Sequence, residues 1–168
     1  HHETTMKFSL IIASYNEGPD LLATVALAEA STPKLHEIIV VDDCSDDPVV
    51  NRISGSFPDV KVIRTPERSG AGPAKRFGGQ FAIGDVIILS DAHMRYPWDW
   101  LEYAERNIAS YPKAIWSCVS RGFESSSTFA GCGAKMEYKQ KGLEFNWLDP
   151  GPPQVADCVP ALLGGCYF

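Results

Sequence analysis

The chain predicts an α/β fold, a mostly parallel sheet flanked by helices, and three observations carry that prediction. Apolar runs of strand length, Leu10-Ile11-Ile12, Ile38-Ile39-Val40-Val41 and Val86-Ile87-Ile88-Leu89, alternate with segments of helical pattern. Alternation of this kind requires crossover connections, which make neighbouring strands parallel. Each of these runs also ends in a polar cluster, and parallel strands deliver their ends to one edge, where ligands collect in open α/β sheets.

The elements follow in order. Residues 8–13 read as the first strand, and Ser14-Tyr15-Asn16-Glu17-Gly18 as a turn. Pro19 suits the first turn of a helix, along which Leu21, Leu22, Val25, Ala26 and Ala28 form an apolar stripe. Residues 38–41 are a second strand, which runs into Asp42-Asp43-Cys44-Ser45-Asp46-Asp47-Pro48 and a short helix to position 54. Residues 60–64 are a third strand. Gly70-Ala71-Gly72-Pro73 opens a helix with Ala74, Phe77 and Phe81 on one face. Four apolar residues at 86–89, after Gly84-Asp85, read as a strand buried on both faces. Residues 97–110 form a helix with Trp100, Leu101, Ala104 and Ile108 inward. Beyond Tyr111 the pattern weakens to a strand at 114–119, a loop at Ser125-Ser126-Ser127-Thr128 and a break at Asp149-Pro150-Gly151-Pro152-Pro153.

Bulk properties exclude several classes. With 168 residues, 45% of them hydrophobic and 21% charged, the chain is large enough for one folded domain with a real core. A formal charge of −6 argues against a nucleic-acid partner. No apolar stretch approaches the roughly 20 residues that span a bilayer. Cys44, Cys118, Cys132, Cys158 and Cys166 include no CxxC pair, which argues against structural zinc. Free thiols fit a reducing cytoplasm, with peripheral attachment to a membrane as the variant of that expectation. His1 to Thr5, ahead of Met6, read as a tag remnant, and Gly164-Gly165-Cys166-Tyr167-Phe168 reads as core that a longer natural chain continues.

The chemistry concentrates at three strand ends: Ala13-Ser14-Tyr15-Asn16-Glu17, Asp42-Asp43 and Asp91-Ala92-His93. Each has an ordinary structural alternative. Tyr15 to Pro19 serve equally as turn and helix start, and Asp42, Asp43, Asp46 and Asp47 equally cap the next helix or accept from the imide of a base. Asp91 and His93 together offer a carboxylate oxygen and an imidazole nitrogen. A Mg2+ or Mn2+ ion held there needs substrate phosphates and water to complete its shell. The Gly70 to Gly79 segment is neither a Walker A loop nor GxGxxG. It reads as a helix N-terminus that brings Lys75 and Arg76 toward an anion, or else as a solvated basic face.

Together these segments resemble the nucleotide-sugar glycosyltransferases of the GT-A (Rossmann-like) fold, family 2. Ala13 to Glu17 are similar to its "SYNE" turn, and Val41 to Asp47 to its "VDDGSxD" pattern with Cys44 in place of glycine. Ala74 to Gly78 match "ARNxG", Gly84-Asp85 and Asp91-Ala92-His93 match "GD…DxD", and Pro97 and Leu101 follow as they do in the family. The DxH form resembles the polypeptide N-acetylgalactosaminyltransferases, as do Gly142 to Trp147 and Ala161 to Phe168.

The resemblance implies one GT-A domain over 6–168, with a nucleotide-binding part to about 110 and the start of an acceptor-side part over 111–168. It implies that Ala13, Ser14, Tyr15 and Asp43 bind the base, with Glu17 on the ribose side and Lys75 at the nucleotide. Asp91 would reach the nucleotide through a cation it shares with His93, Mn2+ or Mg2+. Trp147, Gly164 and Gly165 would face the donor sugar or the acceptor. An inverting transferase also needs a general base, and because family 2 carries it after the glycine-containing strand, the resemblance implies a base beyond Phe168. Asp149 and Asp157 are the downstream acids within the chain, and nothing in their surroundings marks either. The implied activity is transfer of a hexosyl or N-acetylhexosaminyl group from a nucleotide-diphosphate sugar, a UDP-sugar above all, to a glycan, lipid or protein. Two other readings are a non-catalytic nucleotide-sugar-binding module and a sugar-nucleotide nucleotidylyltransferase. The second wants a glycine-rich, arginine-containing loop after the first strand, which Ser14 to Gly18 do not supply.

Overall fold

Four parallel strands organise the first part of the chain: β1 (Phe8–Ser14), β2 (Glu37–Asp42), β3 (Lys61–Arg64) and β4 (Val86–Asp91). They lie in the order β3-β2-β1-β4, with each neighbouring pair parallel. Helices α1 (Pro19–Glu29), α2 (Val49–Ser56) and α3 (Ala71–Gly79) connect successive strands, and α4 (Trp100–Ser110) follows β4. The computed structural model describes residues 6–118 continuously and, beyond them, the segments 120–121, 130–131, 134–139, 142–147 and 166–167.

β1 has β2 on one side and β4 on the other, so all seven of its residues are buried. On one sheet face Ile11, Ala13, Ile39 and Val41 pack with Ala74 of α3, joined by Ile63, Phe77, Ala82 and Leu89. The helix sits close because Gly78 faces the sheet. A Cβ there would lie 2.5 Å from both Ile11 Cγ2 and Val41 Cγ2. Gly84 serves the other end of the sheet, where a Cβ would meet Lys7 O at 2.6 Å.

Several expectations change in detail. β4 is not buried on both faces: Ile88 and Ser90 are fully buried, but Ile87 is 41% exposed. The apolar cluster under α3 extends to Leu89 and leaves Ile87 outside it. In α1 the buried stripe is Leu21, Thr24, Val25 and Ala28, while Ala26 is exposed and Leu22 half-buried. α3 ends at Gly79, so Phe81 lies beyond it and packs edge-on against Phe77. The strand expected at 114–119 is absent from 114–118, where only Ser117 makes an isolated bridge and Ile115 is 70% exposed. An isolated bridge is not a strand, which needs successive ladder pairs along the run; Val119 lies outside the described residues.

The chain divides into a compact unit that reaches Ala114 and a second spanning Ile115–Tyr167. In the second, β5 (Ser120–Arg121) pairs antiparallel with β6 (Ala130–Gly131). β7 (Ala134–Lys139) pairs antiparallel with β8 (Gly142–Trp147), and β9 (Cys166–Tyr167) is the last strand described. No helix among the described residues is long and apolar enough to cross a membrane.

Candidate functional site

Strand register gathers the polar ends. Ser14 pairs with Asp42 across β1 and β2, and Ala13 pairs with Asp91 across β1 and β4. The chain winds outward from β1 in both directions, so the β1/β4 boundary is the topological switch point at which such sheets open a crevice.

On the β2 side, Asp43 is buried and organises the approach to α3. Its Oδ1 accepts from Thr65 Oγ1 at 3.0 Å, Ser69 N at 2.9 Å and Ser69 Oγ at 3.0 Å, and Oδ2 accepts from Gly70 N at 2.7 Å. Burial alone would raise the carboxyl pKa. The Ser69 and Gly70 amides and the Thr65 and Ser69 hydroxyls outweigh it and hold the group below its ordinary 3.8. Oδ2 keeps acceptor capacity toward a ligand, since a carboxylate oxygen takes more than one donor.

The turn after β1 is stapled to the loop after β2. Asn16 Oδ1 accepts from the backbone of Asp46 at 2.8 Å and of Asp47 at 3.1 Å, and Asn16 N donates to Ser45 Oγ at 3.0 Å. Asp47 accepts from Gly18 N and caps α2 through Val49 N. Cys44 stands at φ 63, a left-handed conformation, which explains why glycine suits this position. Tyr15 presents its ring to Arg68, whose guanidinium carbon is 3.7 Å from the centroid. Ser14 Oγ is buried without a hydrogen-bond partner among the described residues, which fits a polar ligand group at this strand end.

On the β4 side, Lys75 and Asp91 meet. Lys75 is 3% exposed, and its Nζ lies 2.6 Å from Asp91 Oδ1. Of the two basic residues expected near an anion, Lys75 thus turns inward to a carboxylate, while Arg76 is exposed. His93 Nδ1 lies 3.0 Å from Glu17 Oε2. An ionised carboxylate only accepts, so the imidazole is the donor in this contact. The loop that carries His93 is anchored by Thr24 of α1, whose Oγ1 lies 2.7 Å from Ala92 O and accepts from Met94 N at 3.0 Å. Arg95 pairs with Asp20 of the same helix, and Ser90 bonds Tyr96, which stacks on Trp100.

The donor set fits a hard or borderline divalent cation. Asp91 could hold it through a carboxylate oxygen and His93 through an imidazole nitrogen, with Glu17 hydrogen-bonded to the histidine from behind. Among the described residues no group of three or more His, Cys, Asp or Glu makes a closed cage. Such a site leaves room for ligands from phosphate and water.

Thr24, Thr65, Arg68 and Ser69 were not singled out from sequence. Thr24 alone carried a signal, as a polar residue within the apolar stripe of α1. Of the expected sugar-side residues, Trp147 ends β8, whereas Gly164 and Gly165 lie outside the described residues, as do the two downstream acids Asp149 and Asp157.

The family model of glycosyl transferase family 2 matches residues 9–159. The chain belongs to that family. Its fold is GT-A. Curated relatives include a probable N-acetylgalactosaminyltransferase 6 of Caenorhabditis elegans, 36% identical over 153 residues, covering 83% of this chain and 23% of the relative. Human polypeptide N-acetylgalactosaminyltransferase 10 is also 36% identical, over 120 residues, covering 67% of this chain and 20% of the relative. The chain therefore spans about a fifth to a quarter of these curated relatives. Among solved structures, a mannosyltransferase of Pyrobaculum calidifontis in complex with GDP-Man and Mn2+ superposes with a TM-score of 0.62 at 27% identity, covering 69% of this chain and 36% of that one. TarS of S. aureus with UDP-GlcNAc gives 0.57 at 21%, covering 72% and 38%, a likeness of fold.

Proposed function

We propose that this chain is the donor-binding part of a metal-dependent glycosyltransferase that takes an N-acetylhexosamine from a UDP-sugar. One observation carries the reading: Ser14-Tyr15, Asp43, Lys75, Asp91 and His93 belong to strand ends and a helix start that share one sheet edge, at the switch point. The Tyr15 ring and the spare acceptor of Asp43 suit a planar base with an imide N–H. Lys75 meets the diphosphate. Asp91 and His93 hold Mn2+ or Mg2+, with Glu17 orienting the imidazole. When bound, a cation there would supply charge stabilisation for the departing diphosphate.

The sugar class is supported by the named activity of the relatives and by the DxH motif. The relative in complex with GDP-Man and Mn2+ supports the cation. The acceptor is a glycan or a protein, and the base that activates it belongs to chain outside the described residues.

Calorimetry tests the proposal. UDP-N-acetylgalactosamine and UDP bind in Mn2+ and lose that binding in EDTA, and Asp91→Ala abolishes the metal-dependent part. Equal affinity with and without metal, or unchanged affinity in Asp91→Ala, overturns the reading.

A further inference from the structure

The pairing of Lys75 with Asp91 has a consequence for the order in which ligands enter. Asp91 supplies a carboxylate to the cation site, and one of its two oxygens already faces an ammonium at 2.6 Å. That ammonium cannot simply retreat into water. The Lys75 side chain is 4% exposed and rises from α3, one residue after Ala74 in the sheet-facing core. His93 is half-exposed, and its Nδ1 faces the Glu17 carboxylate at 3.0 Å. A bare divalent cation arriving at Asp91 and His93 therefore meets a carboxylate whose charge is largely compensated, and a fixed positive neighbour that repels it.

A diphosphate changes this balance, because its oxygens can accept from Lys75 Nζ and ligate the metal together. We infer that Lys75 is a built-in counter-cation: it suppresses metal binding to the empty site and makes cation and nucleotide diphosphate enter as one unit. The inference rests on the metal–nucleotide reading of the site. It goes beyond that reading by assigning the coupling between the two ligands to one buried side chain. Coupling of this kind is reciprocal, so metal raises nucleotide affinity by the factor by which nucleotide raises metal affinity.

Mn2+ titrations of the whole 168-residue chain, followed by the electron paramagnetic resonance signal of free Mn2+, test it with and without UDP. In the unaltered chain Mn2+ alone binds weakly, and UDP strengthens it at least tenfold. Lys75→Met, neutral and of similar length, binds Mn2+ alone at least tenfold more tightly, with a smaller gain from UDP. Lys75→Gln carries the same expectation should the methionine variant not fold by circular dichroism. Lys75→Arg keeps the charge and keeps metal-only binding weak. If both neutral variants bind Mn2+ alone no better than the unaltered chain, or if Lys75→Arg binds it as well as they do, the role of Lys75 falls while the site reading stands. If the unaltered chain binds no Mn2+ even with UDP, the site reading falls, and this inference with it.

Discussion

His93 Nδ1 and Glu17 Oε2 lie 3.0 Å apart across 76 residues of sequence, and this contact fixes how the imidazole is oriented. It turns two polar turn residues on different strand ends into one ligand assembly. Removing the carboxylate in Glu17→Ala frees the ring to rotate and to change tautomer. Outer-shell changes of this kind cost about 10–100-fold in metal affinity. Calorimetry of UDP in Mn2+ should therefore show a loss of at least about tenfold, with thermal stability within about 0.5 kcal/mol of the unaltered chain, as expected for an exposed pair. Undiminished affinity would assign Glu17 elsewhere.

Thr24 is fully buried in α1 and holds the loop after β4 by its hydroxyl. Thr24→Val keeps the shape and removes the partner of Met94 N. Leaving such a group unsatisfied costs about 1–3 kcal/mol. Urea unfolding should register that loss, and Mn2+-dependent nucleotide binding should weaken as well because the same loop carries His93. A fall in stability with intact binding would separate the anchor from the site.

Asp43 makes stability depend on acid. Its folded pKa lies below the ordinary 3.8, so the unfolded chain binds this proton more readily. The stabilisation is complete above the ordinary value and is lost as pH falls through it and on through the lower folded value. Asp43→Asn removes this term and sets an amide against the Ser69 and Gly70 N–H groups. Unfolding midpoints between pH 7 and pH 2 should start lower in the variant and fall less steeply at the acid end. Parallel curves would rule the group out as the source.

Gly78 is required by distance rather than by backbone conformation. With a Cβ 2.5 Å from Ile11 and Val41, Gly78→Ala must push α3 off the sheet. Overpacking of a filled core costs about 1–3 kcal/mol. Thermal unfolding should show the loss, and the displacement of Lys75 on the same helix should also weaken UDP binding in Mn2+. A neutral Gly78→Ala would mean that the sheet face yields without cost.

Much of this molecule is legible in its sequence because short-range chemistry dictates it. The apolar runs at Leu10–Ile12 and Ile38–Val41 are buried in strands, as is Ile88 of the run at Val86–Leu89, and the helical segments between them force parallel crossovers. That topology alone requires Ser14, Asp43 and Asp91 to end near one edge, and the motifs at those ends suffice to place the chain in its family. What the tertiary structure decided are pairings between groups distant in sequence: Lys75 with Asp91, Glu17 with His93, Asp43 with Ser69 and Gly70, and Thr24 with the Ala92–Met94 backbone. Each depends on strand register and on how closely a helix approaches the sheet, and a shift of one residue would exchange the partner. The left-handed Cys44 belongs to the same class, since its conformation is imposed by the hydrogen bonds of its neighbours and not by its own preference. Sequence determined where the polar strand ends would gather; packing determined which of them hold one another and which remain open to a ligand.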